Sequence, residues 1–162
     1  MTKNIVVTSM IVCVVFMVGC APAPQMSPMQ MRQITTRTLE CSYENAFRAT
    51  MSVLQDQQYV IKQTDMNAGF ILAQVNRQTA GGTQFLQALL LSKYDTDTLV
   101  EVSASIGKLN EATQDVRLSI QEVTYNSVGA KSRTKQIDNP EIYQQLFNDI
   151  TVEIKRREAM KK

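Results

Sequence analysis

The chain is 162 residues long, with 17 Lys+Arg against 15 Asp+Glu, no His, no Trp, three Cys and a formal charge of +2. Without His there is no Ser-His-Asp or Cys-His nucleophile and no His-ligated zinc, and no residue spacing offers another metal cage. We therefore expect no catalytic residue, no metal and no cofactor, and the near-neutral balance argues against a nucleic-acid partner.

Residues 1–19 have the layout of a secretory signal peptide: Lys3 in a short basic start, an apolar run from Ile5 to Val18 interrupted by Thr8 and Ser9, then Gly19 and Cys20. The run is too short for a helix that crosses a bilayer, which needs about 20 apolar residues. Met17-Val18-Gly19-Cys20 places a small residue just before a cysteine at the end of that run, and it resembles the lipobox of bacterial lipoproteins. The resemblance implies cleavage between Gly19 and Cys20 and a diacylglycerol on the Cys20 thiol, with further acylation that makes release from a membrane very slow. In the Gram-negative lipoproteins it resembles, Asp directly after the lipidated cysteine favours inner-membrane retention, so with Ala21 at that position the resemblance implies the periplasmic face of the outer membrane. Removing 19 of 162 residues leaves 143, with 16 bases and 15 acids, enough chain to bury roughly two-thirds of its unfolded surface. Cys13 leaves with the signal peptide, so Cys41 has no intramolecular partner and reads as a small buried residue at the end of the first strand, an intermolecular disulfide being the alternative.

Residues 20–33 hold three of the four prolines and no apolar period, which reads as a tether that forms neither helix nor central strand. A domain over 34–162 follows. A strand is expected over 34–39, then a helix capped by Ser42 and running to about 57, with Tyr43, Phe47, Thr50 and Leu54 on one stripe. Tyr59-Val60-Ile61, turn residues over 64–69 and an apolar stretch over 70–75 form a hairpin. Val100, Val102, Ala104 and Ile106 alternate with polar residues, as do Val116, Leu118 and Ile120. Val123 and Tyr125 fall on the opposite parity, which requires a bulge or a change of partner near Gln121-Glu122. A turn over 126–129 leads to a polar edge strand guarded by Lys131, Arg133 and Lys135. Asn139 caps the last helix, Pro140 takes its first position, and Tyr143, Leu146, Phe147, Ile150 and Ile154 supply its buried stripe. The order β-α-β-β-(loop or short helix)-β-β-β-α predicts an α+β domain with an antiparallel sheet of five or six strands and two main helices on one face.

Thr36-Arg37, Leu54-Gln55-Asp56, Tyr59-Val60-Ile61, Gly69, the turn over 126–129 and Pro140-Glu141-Ile142-Tyr143 with Phe147 resemble a family of small, uncharacterised proteobacterial lipoproteins. The architecture is also similar to the helix-grip domains of outer-membrane assembly lipoproteins. Both resemblances concern turns, caps and core positions, so they imply fold and location without a mechanism.

The connection over 77–98 carries Gly81-Gly82 and then Phe85, Leu86, Leu89 and Leu90, which either pack on their own domain or contact a partner. Lys155, Arg156, Arg157, Lys161 and Lys162 complement the dipole of the last helix, with anionic lipid or a partner as the alternative role. Asp65, Asp95, Asp97 and Asp115 read as loop acids, and Ser103 or Ser105 with Lys108 is the one conceivable hydrolase set, lacking a base held by packing. The expected function is a non-enzymatic, lipid-anchored periplasmic protein that binds an envelope protein; the alternative is a carrier that encloses a small apolar ligand.

Overall fold

The computed structural model describes residues 26–76, 98–126 and 128–160. In chain order they form α1 (Pro28–Thr35), β1 (Thr36–Glu40), α2 (Tyr43–Asp56), β2 (Val60–Asp65), β3 (Phe70–Asn76), β4 (Thr98–Lys108), β5 (Thr113–Tyr125), β6 (Lys131–Gln136) and α3 (Pro140–Met160). Every strand pair is antiparallel and the sheet runs β1-β5-β4-β3-β2, with β6 also paired to β5. The fold is α+β, as its strand patterns predict.

Alternation decides which face the helices cover. Val100, Val102, Ala104 and Ile106 of β4, Val116, Leu118 and Ile120 of β5, and Ile71, Ala73 and Val75 of β3 are buried in one cluster with the stripes of α2 and α3. Phe47, Val53 and Leu54 come from α2, and Tyr143, Leu146, Phe147, Ile150 and Ile154 from α3. Ser42 caps α2 by accepting from the Asn45 N–H at 3.4 Å, and the Asn139 carboxamide accepts from the Glu141 N–H at 2.9 Å where α3 begins. The two helices are tied together by Arg157, which donates to Ser52 Oγ at 2.7 Å and to Glu153 Oε1 at 2.7 Å.

The end of α2 is a Schellman motif. Tyr59 N–H donates to Leu54 O and Gln58 N–H to Gln55 O, both at 2.9 Å, with Gln58 in the left-handed region at φ +67°. Leu54 and Tyr59 are both buried in the core cluster, the apolar pairing expected to accompany the motif. A glutamine holds that conformation at a cost glycine avoids. Gln58→Gly should therefore stabilise the domain by about 0.5–1 kcal/mol, read as a raised urea midpoint with an unchanged m value.

Three expectations need correction. The stretch read as tether contains a helix in its described part: Pro28 occupies the first helical position, where its missing N–H costs no bond, and Ser27 caps it. Ser27 Oγ accepts from Gln30 N–H at 3.3 Å while Gln30 Oε1 accepts from Ser27 N–H at 2.9 Å, a reciprocal capping box. The first strand accordingly starts at Thr36 rather than at residue 34, while the two main helices with long apolar stripes, α2 and α3, are as expected. Asp115 belongs to β5, opposite Gly107, and is no loop acid.

The parity change in β5 is a change of partner. Its register with β4 runs unbroken from Thr98↔Thr124 to Lys108↔Gln114, while its other edge passes from β1, over 113–117, to β6, over 121–125. Val123 is fully buried on the face away from the helices, outside the main cluster.

Candidate functional site

Among the described residues the helices pack on one face of the sheet, and polar side chains lie on the opposite face and along the strand rims. A row of half-buried polar side chains crosses the opposite face in register: Gln74, Glu101, Gln121 and Gln136. Gln74 Nε2 donates to Glu101 Oε2 at 2.8 Å, the Lys131 ammonium lies 3.3 Å from the same oxygen, and Gln136 Oε1 accepts from Gln121 Nε2 and Ser119 Oγ, each at 3.3 Å. This row is internally satisfied, which makes it a rigid polar floor rather than a reactive centre.

At the rim, the hand-over from β1 to β6 leaves a gap in β5's hydrogen bonding. The Tyr143 hydroxyl fills it from α3, accepting from Ile120 N–H at 3.2 Å and Gln136 Nε2 at 3.0 Å and donating to Ile137 O at 2.8 Å. Burial pushes its pKa up, against the pull of those two donors. Sequence reading assigns Tyr143 to the apolar stripe alone; the clue to its second role is that a buried phenol must find a hydrogen-bond partner.

The three rims differ. β6 exposes every side chain from Lys131 to Lys135, with Ser132 Oγ donating to Thr124 O at 3.1 Å, and so presents a polar, basic edge. β2 exposes Val60 at 59% and carries a register irregularity between Ile61 and Gln63 that interrupts its edge. β1 is five residues long, and its Arg37 guanidinium stands 5.3 Å from the centroid of the Phe147 ring, a cation–π arrangement.

Among the described residues, clefts open to solvent include two with charged walls. One of about 260 Å³ lies between α2 and α3, lined by Asp56, Gln57, Asp149, Val152 and Glu153 among others. Gln57 Nε2 donates to Asp149 Oδ2 at 3.2 Å, and burial raises the Asp149 carboxyl above its ordinary range. The Glu153 carboxylate is lowered by its bonds to Arg156, against the effect of burial and with further help from Arg157. The other cleft, about 460 Å³, lies at the β2–β3 turn between Tyr43, Met66, Ile106 and Lys108.

The structure separates the conceivable hydrolase set. Ser103 and Ser105 lie on the face away from the helices, Lys108 on the other parity, and its ammonium is bound to Glu111 at 2.7 Å. Of the basic carboxyl end, Arg156 and Arg157 are both spent on Glu153, while Lys161 and Lys162 lie outside the described residues. Asp65 is a turn former, its Oδ1 accepting from Asn67 N–H at 2.9 Å and Ala68 N–H at 3.0 Å. Cys41 is free and buried, its thiol pushed up to about 11 chiefly by burial. Gly19, Cys20, Asp95, Asp97 and the candidate contact residues Phe85, Leu86, Leu89 and Leu90 lie outside the described residues. Among the described residues no cluster of His, Cys, Asp and Glu has the grouping a metal ion needs, and no helix is long and apolar enough to cross a membrane.

No protein-family model matches the sequence, and no curated protein matches it. Among solved structures, a DUF4468 family protein from Bacteroides ovatus is similar at a TM-score of 0.38 and 11% identity, over 81% of this chain and 89% of that one.

Proposed function

We propose that the chain is a lipid-anchored protein of the bacterial envelope, held at the periplasmic face of the outer membrane through Cys20, and that it acts without catalysis by binding a protein of an envelope complex. The observation that carries this reading is Met17-Val18-Gly19-Cys20 at the end of a short apolar run. Protein binding is supported by the sheet, whose rims are unpaired among the described residues and whose β6 edge is exposed from Lys131 to Lys135. An apolar carrier would need enclosed space between sheet and helices. There the side chains of Leu54, Ile71, Leu118, Ile120, Leu146 and Ile150 are fully buried in one packed cluster, which favours the binding reading.

Metabolic labelling with radioactive palmitate tests the anchor: the wild type takes up label and Cys20→Ala does not. Equal labelling of the two would end the proposal. A photocrosslinking residue at Arg133 in β6 or at Leu89 then tests the partner, with a discrete adduct to one envelope protein expected from one of these positions and from neither if the domain binds no protein.

A further inference from the structure

The capping of α1 bears on how far the domain stands from the lipid. Seven residues, 21–27, separate Cys20 from the first residue of α1, and at about 3.5 Å each they reach at most about 25 Å. With α1 unwound and released, the connection becomes 21–35 and its reach about 50 Å. Resting on the lipid anchor at Cys20, we propose that α1 is a retractable section of the tether: docked, it holds the domain close to the bilayer, and undocked, it roughly doubles the reach.

The helix has the properties of a two-state element. Its attachment is light: Thr35 is buried, Ile34 packs against the core and Met31 is half-buried, whereas Met29 is 75% exposed and Pro28, Gln30, Arg32 and Gln33 are exposed. An isolated helix shorter than about 12–15 residues is marginal in water, and α1 has eight. Docking and helicity are therefore coupled, since a helix that leaves the domain melts and lengthens the tether in one step. Charge favours the short state at a membrane. Residues 20–39 contain Arg32 and Arg37 and no acid, so anionic headgroups attract this end of the domain.

The test uses the full lipidated protein in vesicles of phosphatidylethanolamine and phosphatidylglycerol at a ratio of about 3:1, a fraction of anionic lipid sufficient for a negative surface potential. A donor dye is placed at Val152→Cys, a position 66% exposed, while Cys20 is acylated and Cys41 is buried. Energy transfer to acceptor lipids reports the height of the domain. Met31→Pro removes the Met31 N–H bond to Ser27 O at 2.9 Å and should lower transfer, by a mean outward shift of roughly 5–10 Å. Ser27→Ala combined with Gln30→Ala should do so more weakly, and thermal melts of both confirm that the domain stays folded. A Gly-Ser insertion before Ser27, matched to α1's eight residues, should lower transfer with α1 intact. Equal transfer in all variants, or a drop with the insertion but not on breaking α1, overturns the leash. Absence of acyl mass on Cys20 overturns the anchor itself, and the leash with it.

Discussion

Gly69→Ala is expected to destabilise the domain by about 3–4 kcal/mol, from two separable faults of which the first is worth about 1–2 kcal/mol. Gly69 holds φ +67°, a conformation that strains any side chain, at the end of the β2–β3 turn. A methyl group there would also fall on the Ile106 carbonyl oxygen and come within 2.7 Å of the Tyr43 hydroxyl. Neither neighbour yields freely. Ile106 N–H donates to Gly69 O at 2.8 Å, and the Tyr43 hydroxyl donates to Met66 O at 2.7 Å, so the hairpin, β4 and α2 are pinned at this point. Gly129 is the control, because it has φ +79° with nothing within 4 Å of the added carbon. Gly129→Ala should incur only the conformational cost, about 1–2 kcal/mol. Urea midpoints of the two variants measure the difference, and equal losses would show that the close approach at Gly69 contributes nothing.

Where sequence and structure agree, the local signal and the global requirement point the same way. Ser42, Asn139 and Pro140 start helices by chemistry that needs no tertiary partner, and the alternation of Val100 to Ile106 and of Val116 to Ile120 encodes a sheet with one buried face. α1 was hidden because proline density argues for an extended chain, while the meaning of Pro28 depends on its position relative to Ser27 and Gln30. The hand-over along β5 was legible only as a parity fault at Val123: the pattern marks the discontinuity, but which strand ends and which begins is a property of the assembled sheet. The candidate binding surface is less legible for a different reason. Edges and faces are read from what fails to cover them, and Lys131, Glu101 and Gln136 are polar surface residues in sequence that become a bonded row only once four strands are in register.

Tyr143→Phe tests the hand-over directly. The ring would remain packed, since Tyr143 is fully buried beside Leu146 and Phe147, so the variant removes one oxygen and little else. That oxygen serves Ile120 N–H, Gln136 Nε2 and Ile137 O together. Ile120 N–H lies where β1 has ended and β6 has only begun, so no neighbouring strand can take it over, and a buried donor left without a partner costs about 1–3 kcal/mol. The Gln136 amide can turn toward solvent, and Ile137 is only half-buried, so these two partners add less. The expected loss is about 2–3 kcal/mol, which for a domain of this size lowers Tm by roughly 10 °C. Hydrogen exchange separates this from a general loosening: the Ile120 amide and the amides of β6 should lose protection first, while those of β3 and the middle of β4 keep theirs. Uniform loss across the sheet would mean that the hydroxyl supports the core as a whole and that the join between β1 and β6 holds without it.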